Sequence, residues 1–92
     1  MSVTHTVLVR FKDELKAEEV KTVPYILSLK GGKDNSPIGL QGGITHGFVV
    51  EFASVEDRDY YAKTDPVHMA FATILDSFVT KIIVVDFVSE EY

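Results

Sequence analysis

The chain has 92 residues and reads as one domain, residues 1–92. Its hydrophobic fraction of 46% and charged fraction of 25% suit a globular fold with a modest core, and a formal net charge of -5 disfavours nucleic acid and anionic membrane as partners. The absence of cysteine excludes a disulfide scaffold and thiolate catalysis, and no apolar run approaches the ~20 residues that span a bilayer.

The opening MSVTHTVLVRF lacks the basic, apolar and small-residue regions of a secretory signal, so a soluble cytoplasmic protein is expected. Val3–Phe11 alternates and is rich in β-branched residues, which predicts a strand. One face carries Val3, His5, Val7, Val9 and Phe11, and the other Thr4, Thr6, Leu8 and Arg10. A short helix is expected around Leu15–Lys21, stopped by Pro24. A second strand follows over Tyr25–Lys30. Gly31–Gly43 holds five glycines and Pro37, and reads as a loop, either a flexible connection or a mobile lid over a pocket. It is no phosphate-binding loop, because no Gly-Lys-Ser/Thr ending opens a helix.

Ile44–Phe52 is the third strand, with Ile44, His46, Phe48, Val50 and Phe52 on one face. Ser54 reads as the N-cap of the helix VEDRDYYAK, with Glu56 and Asp57 in its first turn. Asp65 caps the next helix and Pro66 opens it. That helix carries Phe71, Ile74, Leu75, Phe78 and Val79 at helical spacing. Lys81–Val88 is the last strand. The order β-α-β-β-α-α-β is the split βαβ, ferredoxin-like α+β pattern. In the sheet expected from it, the first strand lies between the fourth and the third, antiparallel to the fourth and parallel to the third.

On that sheet His5 and His46 are expected near one another, with Asp86 beside His5 at the end of the last strand. Val7, Val9, Phe48, Val50, Ile82 and Val84 fill the rest of the helix-covered face. His68, one turn into its helix, shares a face with Phe71, Ala72 and Leu75 and is expected to point inward, with Tyr60 and Tyr61 close by. Three histidines, one acid and one or two tyrosines thus converge on one cavity. Singly, each has a plain structural role: a hydrogen-bonded strand histidine, an orienting aspartate, a packed tyrosine. A metal site is not expected, since no ligand spacing is concentrated on one element. A histidine near a helix N-terminus feels the positive end of the dipole, which favours its neutral, proton-accepting form.

The stretches THTVLVRFK, ITHGFVVEFASVED, DYYAKTDPVHMAF and KIIVVDF resemble the stress-responsive dimeric α/β-barrel (Dabb) family over nearly the whole chain. The SLKGGKDNSP loop is similar to that of fungal members. The resemblance implies a four-stranded antiparallel sheet, a dimeric α+β barrel and no cofactor. Polyketide cyclases of the family close a linear poly-β-keto thioester by aldol condensation. By motif match, His68 corresponds to their helix histidine, the general base. Tyr61 or Tyr60 corresponds to the tyrosine that supports the thioester and the enolate, and His5, His46 and Asp86 to the strand positions. Here the interval from tyrosine to His68 is one residue longer, and Asp65-Pro66 stands where the cyclases have histidine-proline. The first helix is also shorter than is usual in the family, so part of the pocket wall is expected to be open or covered by a partner chain.

Two functions follow. One is a non-catalytic, stress-associated or small-molecule-binding homodimer. The other is a polyketide-cyclase-like enzyme using His68 and Tyr61. An apolar small molecule is the expected ligand, lined by Val7, Val9, Phe48, Val50, Phe71, Leu75, Ile82 and Val84. The second sheet face, with Leu8, Val49, Ile83, Val85 and Phe87, is too apolar for a monomer and is expected to pair with its copy.

Overall fold

Alternation in Val3–Phe11 produces strand β1, whose inward residues Val3, His5, Val9 and Phe11 are buried, as the period-two pattern requires. The computed structural model describes residues 2–13 and 30–92. The helix expected around Leu15–Lys21 and the strand expected over Tyr25–Lys30, apart from Lys30 itself, lie outside the described residues. The remaining elements are β2 (Lys30–Lys33), β3 (His46–Phe52), helix α1 (Val55–Lys63), helix α2 (Pro66–Asp76) and β4 (Val79–Phe87).

The four strands form one sheet in the order β2-β3-β1-β4, and every neighbouring pair is antiparallel. With helices α1 and α2, this is the ferredoxin-like α+β fold. The parallel relation expected between the first and third strands is therefore wrong. β3 runs against β2, and β1 runs against β3, so the parallel pair is β1 and β2, with β3 inserted between them. The antiparallel relation of β1 and β4 is as expected, with His5 opposite Asp86 and Val7 opposite Val84.

The segment expected to be loop from Gly31 begins instead as a strand. Lys30–Lys33 pairs with His46–Val49, and Gly31 lies opposite Phe48. Glycine weakens a strand by propensity, but here it permits close approach: a Cβ at Gly31 would collide with the Phe48 ring and the Gly47 carbonyl. The connection that follows is organised rather than featureless. Asp34 accepts the Ser36 N–H at 3.1 Å on one oxygen and the Gln41 side-chain amide at 2.6 Å on the other, while its own N–H donates to the Thr45 carbonyl at 2.8 Å. Gly42 and Gly43 then take left-handed φ angles of 62° and 85° to turn the chain into β3.

Ser54 caps α1 by accepting the Asp57 N–H at 3.1 Å. Asp65 caps α2, accepting the N–H groups of Val67 at 2.9 Å and His68 at 3.4 Å, with Pro66 at the first helical position. The helix ends at Asp76, so Phe78 and Val79, expected on its apolar stripe, lie beyond it. The Ser77 hydroxyl donates to the Ile74 carbonyl at 2.6 Å and closes the last turn. The chain then enters β4 at Val79, two residues earlier than expected, through a register shift opposite Arg10 and Phe11. The core packs Leu75 of α2 onto Val9, Phe11 and Phe48 of the sheet, with Val7, Phe78 and Val79 around them.

The face of the sheet away from the helices is open. Val85 and Phe87 are 55% and 49% exposed, beside exposed Val49 and half-buried Leu8 and Ile83. Among the described residues, no helix is long and apolar enough to cross a membrane.

The close approach of β2 and β3 yields a test. Gly31→Ala is expected to destabilise the protein by roughly 1–3 kcal/mol, the range for overpacking a filled site. Gly32→Ala, where an added Cβ meets nothing within 4 Å, is expected to stay within about 0.5 kcal/mol. Urea denaturation midpoints of the two variants check this.

Candidate functional site

Between the two helices and the sheet lies a cavity of about 310 Å³, near the lower end of the range for small-molecule sites. Its walls are mostly apolar: Val7, Phe48, Val50, Leu75, Ile82 and Val84 line it as the sequence predicts, and Ala62, Ala72 and Val79 add small or branched side chains. Val9 does not line it. It is fully buried in the core beneath. The side chain of Phe71 lies outside the described part of the structure. Ile82 and Val84 remain 49% and 53% exposed although they form a wall, so among the described residues nothing covers the cavity along β4. No residue of the Asp34–Gly43 loop lines it, which argues against the lid reading.

The polar groups gather at one end. α1 and α2 are joined by only Thr64 and Asp65, whose N–H groups both donate to the Tyr60 carbonyl, at 2.8 and 2.9 Å. This tight junction turns the last turn of α1 toward the first turn of α2. The Tyr61 and His68 rings meet there with centroids 3.9 Å apart and planes tilted by 38°. Tyr60 is 55% exposed and outside the cavity, so Tyr61 is the tyrosine of the pair. His5 approaches Tyr61 edge-on at 5.8 Å, and Phe52 packs against both, at 6.0 Å from His5 and 5.0 Å from Tyr61.

Behind His5 stands Asp86, as expected, with 2.7 Å between His5 Nδ1 and its Oδ1. A neutral His5 donating its Nδ1–H to this carboxylate carries its lone pair on Nε2. Asp86 also accepts from Arg58, whose NH1 lies 2.9 Å from Oδ2, and the Arg58 Nε–H donates to Asp59 at 2.8 Å. Both carboxylates hold the Arg58 guanidinium more firmly protonated than usual, Asp86 most of all. Arg58 escapes a reading based on titratable residues. The signal was present in the spacing, because Arg58 precedes Tyr61 by three residues and so shares its helix face.

His46 does not join this group. It pairs with Val9, four residues along β1 from His5, a separation of roughly 13 Å at strand spacing. Its Nδ1 lies 2.9 Å from the Thr45 hydroxyl oxygen, and its ring meets Phe11 edge-on at 4.8 Å. The expected His5–His46 proximity fails because it rested on a parallel pairing. With β1 and β3 antiparallel, equivalent positions fall at opposite ends of the sheet. Among the described residues, no group of three or more histidine, aspartate or glutamate side chains is arranged to hold a metal ion.

Burial lowers the pKa of His68 below the ordinary histidine value of 6.5. The neighbouring His5 lowers it further, and Asp65 partly opposes both. Burial, with Lys33, lowers that of His46 in the same sense. A histidine held neutral in the folded state makes stability highest above about pH 6.5, where both states are uncharged. As pH falls, the unfolded chain takes up protons first and stability is lost, until the folded rings protonate as well. Melting temperature is therefore expected to decline between about pH 7 and 5.5, and His68→Gln is expected to flatten that decline. Thermal melts across this range check the slope.

Residues 3–89 match the model of the Stress responsive A/B Barrel Domain (Dabb). Olivetolic acid cyclase from Cannabis sativa is 32% identical, over 95% of this chain and 96% of the cyclase. A hydroxynitrile lyase from Passiflora edulis superposes with a TM-score of 0.82 at 23% identity, covering 99% of this chain and 95% of the lyase. A protein of unknown function from Jannaschia sp. CCS1, described as dimeric and ferredoxin-like, superposes at 0.80 with 19% identity over 96% and 99% of the two chains. At those identities the two structures establish likeness of fold alone.

Proposed function

The chain belongs to the stress responsive A/B barrel domain family, and on that premise we propose that its cavity binds a small, elongated carbonyl compound on which His68 acts as general base. The observation that carries the reading is the contact of Tyr61 with His68 at the polar end of an otherwise apolar cavity. From His68 to Asp76, both of which line it, α2 advances roughly 12 Å. A linear apolar body extends along this length with its carbonyl at the histidine end.

A half-buried imidazole whose pKa is lowered by desolvation accepts a proton from the carbon beside the carbonyl. The bonding pair of that C–H forms the carbon–carbon double bond of an enolate as the carbonyl π pair moves onto oxygen, and the Tyr61 hydroxyl donates a hydrogen bond to this oxygen. In a poly-β-keto chain the enolate carbon attacks a second carbonyl of the same molecule. The new alkoxide then takes the proton from the imidazolium, so the net reaction is an aldol closure. The sequence relationship to olivetolic acid cyclase favours this chemistry over a purely binding role. His5, oriented by Asp86, borders the same space and holds Tyr61 in place.

The exposed face carrying Val49, Val85 and Phe87 supports a homodimer in which two sheets pack against each other. Val85→Glu is expected to convert the dimer to a monomer, checked by light scattering at micromolar concentration.

The base role is tested with 2-nonanone in D₂O, following exchange of its α-protons by NMR. His68→Leu is expected to lower catalysed exchange by about 10²-fold or more, while the protein still melts as a cooperative folded unit. Unchanged exchange, or a large fall in melting temperature with no exchange in the parent protein, makes His68 a structural histidine and leaves a cavity that binds without turnover.

A further inference from the structure

Asp86 has both carboxylate oxygens engaged, one by His5 and one by Arg58. Its side chain is only 17% exposed, and it stands one imidazole away from the space where the proposed chemistry places an enolate. An uncompensated carboxylate there would oppose any negative charge forming on a ligand, with little water to screen it. The charged and titratable groups around this end, among the described residues, come from four elements. They are His5 from β1, Asp86 from β4, Arg58, Asp59 and Tyr61 from α1, and His68 with its capping Asp65 from α2. The β3 residues facing them, Val50 and Phe52, carry no charge.

Within that set Asp86 meets Arg58, a permanent cation, at 2.9 Å and His5, a cation only when protonated, at 2.7 Å. Its second partner, Asp59, is 43% exposed, and solvent screens its field. With His5 neutral, the inner balance is therefore between Asp86 and Arg58. Resting on the reading of the cavity as a proton-transfer site, we propose that Arg58 is a specificity-determining residue. It offsets the charge of Asp86 and so allows an oxyanion to form or bind at the Tyr61–His68 end. Arg58 acts through Asp86 and does not line the cavity, so it is a positioning and charge-balancing residue, not a catalytic one. It also ties α1 to β4, and a purely structural tie would affect every ligand alike. Charge balance affects anionic ligands selectively, and the two roles separate on that difference.

The probe is 4-nitrophenol, whose neutral and ionised forms differ in visible absorbance. The full chain is titrated with it at pH values on either side of its ionisation. The parent protein is expected to shift bound nitrophenol toward the phenolate. Arg58→Gln keeps a hydrogen-bond donor but removes the charge. It is expected to weaken phenolate binding by about tenfold or more, with neutral phenol binding changed by less than about twofold. Arg58→Lys, which keeps the charge, is expected to retain most of the phenolate preference. Equal weakening of both forms in Arg58→Gln, no weakening of either, or binding of neither form by the parent overturns the proposal. Should Arg58→Gln fail to fold, Arg58→Lys decides alone: loss of the phenolate preference with neutral phenol still bound overturns it, and retention supports it. The readout needs no turnover. If the parent protein exchanges no ketone α-protons but Arg58 still discriminates phenolate from phenol, the base role of His68 falls and the role of Arg58 stands.

Discussion

The carboxylate of Asp86 ties together the parts on which the site depends. It joins the end of β4 to the start of β1 through His5, and to α1 through Arg58. A charge placed on the helix-covered face of a sheet is unfavourable unless it is paired and hydrogen-bonded. Here both oxygens are satisfied by groups from separate elements, so the pairing fixes how those elements meet. Tyr61 is one helical turn from Arg58, and its position over His5 and against His68 follows from the same anchorage.

The packing around this anchor divides the interior. At the centre, Val9, Phe11, Phe48 and Leu75 form a dry core. Beside it the same sheet face opens into the cavity, where Ile82 and Val84 keep about half of their surface exposed. Apolar surface left this accessible forgoes stabilisation of roughly 25 cal/mol per Å². A domain of this size has little to spare, and such a wall fits the proposed reading of a ligand-binding cavity. The small residues Ala62 and Ala72 keep that space empty where larger side chains on α1 and α2 would fill it.

Fold and chemistry are only loosely connected in this architecture. A cyclase and a hydroxynitrile lyase both resemble this chain, by sequence in one case and by fold in the other. A shared scaffold therefore does not choose a reaction, and under the proposed reading the choice rests with side chains at the polar end of the cavity. In this chain they are a histidine held neutral by burial, a tyrosine against it, and a second histidine backed by a paired carboxylate.

Much of this was legible in the sequence. Period-two alternation revealed the buried face of β1, including His5. Ser54, Asp65 and Pro66 marked both helix starts because capping is decided by residues adjacent in the chain. The pairing of His5 with Asp86 followed from the antiparallel relation of first and last strands. What failed was what depended on the direction of β3. Whether β3 runs with or against β1 is not written in the alternation of either strand, and that single sign moved His46 to the far end of the sheet. Nor did local sequence decide that Gly31 joins a strand, since glycine disfavours strands and only the neighbouring Phe48 makes it necessary. The choice of Tyr61 over Tyr60 and the arrival of Arg58 at Asp86 likewise awaited the rotation of α1 about its axis. Patterns within an element set which residues are buried and where helices begin. Contacts between elements set direction, rotation and partners, and these exist only once the chain has closed on itself.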